Sequence, residues 1–188
     1  MIIMTKKMKV NISGMQFELP TTCLQTDYDG KTIIRLGAKD AASIMKQYVK
    51  KSYPGLEIWV SSSKYAGGSS ADIWICNPDG SSVPNEIYKK IDSFSNTLTA
   101  GSFNGMEDIY EYKRDGVTDN GITIVNYTKY VFVNNRPKNG SPLSIMLSLK
   151  GMMAGEYDFG VVDLETAVAK MKRFGYKESE INKGLQIM

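Results

Sequence analysis

The sequence predicts an α+β protein in which helices pack on one side of an antiparallel sheet. Three observations predict this class: two amphipathic helical segments, an alternating strand pair between them, and further short strands on either side. Apolar residues that recur every three or four positions mark a helix, whereas strict alternation marks a strand with one buried face. The predicted order is roughly ββ-α-ββ-α-βββ, followed by C-terminal helices.

The N-terminal part of the chain is typical of short strands joined by tight turns. Met8–Ile12 and Gln16–Leu19 alternate between apolar and polar residues, and Ser13-Gly14 between them favours a hairpin turn. A second turn is predicted at Asp27–Gly30 because Asp and Gly dominate this segment. It leads into a predicted strand over Thr32–Leu36.

The clearest element is an amphipathic helix over Ala38–Ser52. One side carries apolar residues at helical spacing, and the other carries Lys39, Lys46 and Lys50. The Tyr-Pro-Gly segment that follows ends the helix, since proline cannot continue the hydrogen-bond ladder. The lysine side is either a solvated surface or a surface that contacts phosphate groups.

Two alternating segments, Leu56–Ser61 and Ser70–Cys76, predict a β-hairpin. With its turn centred between Ala66 and Gly67, the apolar residues of both strands meet on one face. These predicted pairs are Ile58 with Ile75 and Val60 with Ile73.

The same register places Trp59 opposite Trp74 on the other face of the hairpin. An exposed tryptophan pair, with Lys64 and Tyr65 nearby, would be a platform on which bases of single-stranded nucleic acid stack. The alternative is that the appended helices or a second subunit cover this face. The acidic neighbours of the two rings, which oppose phosphate binding, are Glu57 and Asp72.

The middle of the chain continues with a turn, a helix and short strands. Asn77–Gly80 is typical of a turn, and a helix with an apolar stripe runs from about Pro84 to Phe94. Residues 101–116 are predicted to begin as a loop and end as a strand. The remaining predicted strands are Ile122–Val125 and Tyr130–Val133.

The predicted organisation is an α+β sheet domain over residues 1–136 and a helical appendage over residues 143–188 that packs on it. The Asn-, Pro- and Gly-rich segment 134–142 is the candidate linker, and helical periodicity returns after it. Gly175 is a natural helix C-cap. The predicted helical segments of the appendage are Leu143–Met153, Leu164–Phe174 and a short last turn, Glu178–Lys183.

The chain contains no histidine, and this bears directly on catalysis. Histidine is the usual general base near neutral pH and the commonest metal ligand, so Ser-His-Asp catalysis, Cys-His catalysis and every zinc site that contains histidine are excluded. Cys23 and Cys76 lie far apart in the sequence and are expected to be reduced thiols. We therefore expect no cofactor, no metal and no enzymatic activity, while carboxylate, lysine or tyrosine chemistry stays open.

Charge and hydropathy indicate where the protein works and what it contacts. Without a signal-peptide pattern or an apolar run of about 18 residues, we expect a cytoplasmic protein with no membrane partner. The net charge of +3 is uneven: +5 over residues 1–64, −5 over residues 65–128 and +3 over residues 129–188. Such segregation either creates a basic face that attracts nucleic acid or is compensated within the fold.

Three segments together resemble a known family: the helix end at residues 50–55, the Ser/Gly hairpin at residues 61–74, and the stretch at residues 101–108. In this order they are similar to the large polyvalent protein-associated domain numbered twenty-nine in its series, over roughly residues 38–135. Such domains occur in large proteins of phages and conjugative elements and in small stand-alone relatives. The resemblance implies a mobile-element setting and no particular activity. Asn104 stands where family members often have Asp, so no carboxylate is available there.

Two other segments have candidate chemistry. The Ser61–Ser70 loop is either a phosphate-binding loop or, since it lacks P-loop spacing, a flexible hairpin tip. An acidic run is either a divalent-cation site or a solvated or protein-docking loop, and its spacing matches no calcium loop. The residues of this acidic run are Glu107, Asp108, Glu111, Asp115 and Asp119.

The leading hypothesis is a non-enzymatic accessory protein of a phage or mobile element that binds nucleic acid or a host or phage protein. The alternatives are a carboxylate- or metal-dependent enzyme that uses Glu107, Asp108 and Asp72, or a structural or assembly protein. The oligomeric state is left open. The candidate binding residues are Trp59, Trp74, Lys64, Tyr65, Lys39, Lys46 and Lys50.

Overall fold

The computed structural model describes residues 6–104, 109–112, 117–119, 121–158 and 160–188. Its strands are β1 (Lys7–Ile12), β2 (Met15–Pro20), β3 (Leu24–Thr26), β4 (Thr32–Leu36), β5 (Glu57–Tyr65), β6 (Gly68–Cys76), β7 (Gly101–Asn104), β8 (Ile109–Tyr112), β9 (Val117–Asp119), β10 (Ile122–Asn126) and β11 (Tyr130–Asn134). Its helices are α1 (Ala38–Ser52), α2 (Asn85–Asn96), α3 (Pro142–Ala154), α4 (Leu164–Arg173) and α5 (Glu178–Leu185).

The strands of the described residues form two hairpins and two larger sheets. The hairpins are β1-β2 and β7-β8, and the larger sheets have the orders β3-β4-β10-β9 and β11-β6-β5. The α+β class is confirmed, and the element order roughly matches the predicted one. The sheets are mixed instead of fully antiparallel, because β10 lies parallel to β4 and β11 lies parallel to β6. Parallel strands must enter the sheet from the same end. In each of these pairs a long connection that contains at least one helix returns the chain to that end before the second strand begins.

Helix α1 has the bounds that the periodicity predicts. Its start is stabilised by Asp40, whose Oδ2 accepts a hydrogen bond from the Gly37 N–H at 3.0 Å. Its apolar side, including Ile44, Met45 and Val49, is buried against β5 and β6. The lysines on its opposite side are exposed, as the amphipathic pattern requires.

The β5-β6 hairpin has the predicted register. Ile58 pairs with Ile75 and Trp59 pairs with Trp74, and Gly67 in the turn has a φ of +85° that favours glycine. The paired strands extend beyond the predicted ones to within one residue of this turn, so the expectation of a loop over Ser61–Ser70 is wrong. Cross-strand bonding accounts for the difference, since the Oγ atoms of Ser63 and Ser70 lie 2.9 Å apart.

The main core lies between the β11-β6-β5 sheet and the helices α1 and α2, which pack on the same face of it. Ile73 and Ile75 of the central strand are fully buried there, together with Ile91 of α2. Full burial of such a side chain stabilises the fold by about 1.5–3 kcal/mol. The prediction that both helices cover one side of the sheet is confirmed for α1 and α2.

The C-terminal helices form a second core of their own, in which α3, α4 and α5 bury Ile145, Leu149, Met171 and Ile181. They contact the sheet on the face opposite α1 through a small apolar cluster described below. Gly175 follows α4 with a φ of +89°, in agreement with the predicted C-cap. The boundary between the sheet domain and the appendage stays a prediction.

The largest departure from the sequence-based secondary structure lies after α2. Residues 101–104 form strand β7, which pairs with β8, whereas the sequence predicts a loop at this point. The short strand β3 is also missed. Both strands are three or four residues long and owe their conformation to pairing with a neighbour, so they leave no periodic signal in the sequence.

We predict that Gly184→Ala destabilises the C-terminal core. A Cβ atom at Gly184 would clash with the side chain of Ile145 on α3. Overpacking costs about 1–3 kcal/mol, which exceeds the roughly 1 kcal/mol that alanine contributes in a helix. Thermal unfolding monitored by circular dichroism should show a lower Tm.

The matched control is Gly55→Ala, because a Cβ atom there meets nothing within 4 Å. We expect its Tm to stay within about one degree of wild type. An unchanged or higher Tm for Gly184→Ala would show that α3 and α5 do not pack this closely.

Candidate functional site

One face of the β11-β6-β5 sheet carries a row of aromatic side chains, called here the aromatic face. Alternation along β5 places Trp59 and Tyr65 on this face, and Trp74 lies opposite Trp59 on β6. The parallel register aligns Tyr130 with Ser70 and Phe132 with Asp72, so both β11 rings share the face of Trp74. The residues of the aromatic face are Trp59, Tyr65, Trp74, Tyr130 and Phe132.

The aromatic side chains are most accessible away from the tryptophans. Phe132 is 49% exposed and Tyr65 is 46% exposed. The half-buried ring of Tyr130 stacks on Phe132 with a centroid separation of 5.6 Å and an interplanar angle of 19°. A stacked pair in which one ring is exposed and the other is half-buried still offers a flat apolar area to a ligand.

The tryptophans themselves are half-buried. Trp59 packs against Leu143 and Met146 of α3 in a cluster that also contains Cys76. Lys138 holds its Nζ atom 5.2 Å from the centroid of the Trp74 ring. The C-terminal helices therefore cover part of this face, and the accessible part lies towards the hairpin turn.

Charged groups of both signs border the aromatic face. Lys129 holds its Nζ atom 5.6 Å from the centroid of Tyr130, and Lys138 lies over Trp74. Asp72 lies in the middle of the face, beside Phe132, and Glu57 lies at the tryptophan end. The cations flank β11 at its two ends, whereas the carboxylates lie on β5 and β6.

The structure does not bring all of the predicted binding residues together. Lys39, Lys46 and Lys50 are exposed on α1, which packs on the sheet face opposite the tryptophans. Lys64 occupies the alternate position of β5 to Tyr65 and lines a cleft beside the start of α1. Of the predicted set, the aromatic face therefore unites only Trp59, Trp74 and Tyr65.

The sequence does not identify Tyr130 and Phe132 as site residues. Their alternation with apolar Val131 and Val133 does predict a two-faced strand. Their neighbour could not be predicted, because β11 reaches β6 by a parallel pairing between residues about sixty positions apart, such as Val131 with Ala71.

The acidic run lies largely outside the described residues. Glu107, Asp108 and Asp115 are not among them, and the side chains of Glu111 and Asp119 are not described. Elsewhere in the described ranges, no three Asp, Glu or Cys side chains gather closely enough to hold a metal ion. In the same ranges, no helix has the length and apolar character needed to cross a membrane.

Both cysteines are buried free thiols. Burial, with a smaller contribution from the nearby Asp40 carboxylate, raises the pKa of Cys23 to about 12. Burial, followed by the charges of Glu57 and Asp79, raises the pKa of Cys76 to about 11. A thiol is a nucleophile only as its thiolate, so neither cysteine is suited to covalent chemistry near neutral pH.

Comparison with known proteins identifies a family. The family model described as large polyvalent protein associated domain 29 matches residues 36–138. This range begins at the end of β4 and includes α1, the β5-β6 hairpin, α2 and β11. No curated protein and no solved structure matches the chain.

We predict that neither thiol of the folded protein reacts with the thiol reagent DTNB at pH 8. A pKa of about 11 leaves roughly one thiolate in a thousand at this pH, and burial blocks access to it. In guanidinium chloride, which unfolds the chain, DTNB should react with both cysteines and release two equivalents of the coloured thionitrobenzoate. Rapid labelling of the folded protein would show that one thiol is accessible.

Proposed function

Because the chain belongs to the large polyvalent protein associated domain 29 family, we propose that it is a non-enzymatic accessory protein of a phage or mobile element. Its proposed activity is the binding of single-stranded nucleic acid on the aromatic face. Family membership supports the setting, and the aromatic face supports the ligand.

The single observation that carries this proposal is the accessible aromatic stretch formed by Tyr65, Tyr130 and Phe132. Stacking of a base on an aromatic side chain contributes about 1–3 kcal/mol and tolerates any base. Side chains on an open sheet reach a base only when it is not already stacked and paired in a duplex. The face therefore favours single strands over duplexes.

The distribution of charge suggests how a strand would lie. Asp72 and Glu57 repel phosphate groups, so the sugar-phosphate backbone would avoid β5 and β6. Lys129 and Lys138 flank β11 and attract the sugar-phosphate backbone. In this arrangement the backbone follows the β11 edge and the bases extend over the rings. With few phosphate contacts, we expect affinity to fall only modestly as the salt concentration rises.

We predict that Phe132→Ala weakens the binding of a short single-stranded oligonucleotide. Loss of one stacked base costs about 1–3 kcal/mol, which raises Kd roughly fivefold to hundredfold. The affinity is measured by fluorescence anisotropy of a labelled oligonucleotide at low salt. Since the Phe132 side chain is about half exposed, its removal should leave the fold intact.

The matched control is Phe174→Ala, which removes another phenylalanine, 62% exposed, from the end of α4. It should bind like wild type. Equal affinities for both variants, or tighter binding of a duplex, would contradict the proposed mode. Absence of any binding at low salt would also contradict it and would favour a protein partner for the aromatic face. That partner would be sought by pull-down, with Phe132→Ala as the comparison.

The metal-dependent enzyme is the alternative from the sequence. Of its three carboxylates, Asp72 lies on the aromatic face, while Glu107 and Asp108 lie outside the described residues. We expect Mg²⁺ or Mn²⁺ to leave the Tm unchanged in a thermal-shift measurement. A rise in Tm that Asp108→Asn abolishes would favour the enzyme, because metal binding to the native state is linked to its stability.

A further inference from the structure

A cleft near the start of α1, called here the Arg35 cleft, is separate from the aromatic face. It consists of two adjoining hollows of about 530 and 460 Å³ that share Gln25, Arg35 and Tyr127 in their walls. Hollows of this size match those that hold small ligands. The cleft is built on strands β3, β4 and β10, so its walls are fixed by sheet pairing.

Arg35 is held in a defined orientation in this cleft. Alternation along β4 buries Ile34 and Leu36 in the main core and turns Arg35 to the other side. Its guanidinium carbon lies 4.2 Å from the centroid of the Tyr127 ring. Its Nη2 atom donates a hydrogen bond of 2.9 Å to the Tyr127 hydroxyl. The planar group is therefore positioned before any ligand arrives.

The guanidinium keeps unused hydrogen-bonding capacity. Its Nε atom is buried, and no described residue accepts a hydrogen bond from it. The ion pairs of the described residues, Lys7–Glu18 and Lys172–Glu178, do not involve Arg35. The buried Nε is closed to a ligand, so a ligand oxygen would bond to the terminal nitrogens, of which only Nη2 has a hydrogen-bond partner among the described residues.

The other charged groups of the cleft favour an anion. Lys31 lines one hollow and Lys64 lines the other. The carboxylates of the cleft are already engaged by the backbone. Oδ1 of Asp27 accepts the N–H groups of residues 29 and 31, and Oδ2 of Asp40 accepts that of residue 37. Three cations therefore face the cleft against two carboxylates, each of which already accepts backbone hydrogen bonds through one oxygen.

We propose that the Arg35 cleft binds a nucleoside phosphate. The planar fork of Arg35 matches two phosphate oxygens, and the two lysines suit the double charge of a phosphate monoester better than a single carboxylate. Tyr127, 48% exposed, and the apolar side chains of Ile33 and Val125 offer a wall for the flat base. The phosphate comes either from a free nucleotide or from the 5′ end of a strand.

The test measures AMP binding by isothermal titration calorimetry for wild type, Arg35→Gln, Lys64→Gln and the control Lys46→Gln. Wild type and Lys46→Gln should bind alike, since Lys46 is an exposed lysine on the outer side of α1. Arg35→Gln should bind about tenfold more weakly or worse, and Lys64→Gln severalfold more weakly. Lys64 is exposed, so its replacement reports on binding even if Arg35→Gln folds poorly.

Two further measurements test whether the phosphate is required and identify its source. Adenosine should bind at least about tenfold more weakly than AMP. A 5′-phosphorylated oligonucleotide that binds more tightly than its unphosphorylated form, with Arg35→Gln abolishing the difference, would assign the cleft to a strand end. AMP binding alone would assign it to a free nucleotide.

The proposal is overturned if wild type binds neither AMP nor the 5′ phosphate, or if Arg35→Gln and Lys64→Gln both bind like wild type. These outcomes are independent of the aromatic face. Loss of oligonucleotide affinity in Phe132→Ala, together with no AMP binding and no effect of the 5′ phosphate, would contradict the cleft proposal alone. Binding of AMP or of the 5′ phosphate, together with unchanged oligonucleotide affinity in Phe132→Ala, would contradict the stacking proposal alone.

Discussion

The pairing register of the β5-β6 hairpin is the constraint on which the rest of the structure depends. A strand sends successive side chains to opposite faces, so a slip of one residue would turn Ile73 and Ile75 out of the core and Trp74 into it. The turn at Gly67 holds the register. It determines which face receives α1 and α2, and it leaves the aromatic side chains on the other.

Local patterns were enough to predict the parts of the fold that depend on near neighbours. Helix α1 and the register of the hairpin are encoded by side chains that lie within a few residues of one another, and both were predicted correctly. The parallel placement of β10 and β11 depends on β4 and β6, their pairing partners far away in the sequence. No pattern within either strand carries that information.

The same distinction separates the predicted from the unpredicted site residues. The patterns of β5 and β6 alone predict the pairing of Trp59 with Trp74, whereas Phe132 joins them only through the parallel β6-β11 pair. Arg35 and Tyr127 lie ninety-two residues apart and meet across the β4-β10 pair. The sequence groups Lys64 with the tryptophans because it is close to them along the chain, but alternation turns it towards the Arg35 cleft.

The two parallel pairs also have a consequence for how the chain reaches its native state. β6 meets β11, and β4 meets β10, only after segments of about sixty and ninety residues have closed, as in Ala71 with Val131 and Ile34 with Ile124. Closing such long segments costs chain entropy before any contact compensates for it, which slows folding. Until β11 docks, β6 presents an unpaired apolar edge, so a nascent or partly folded chain is exposed to wrong association at this edge.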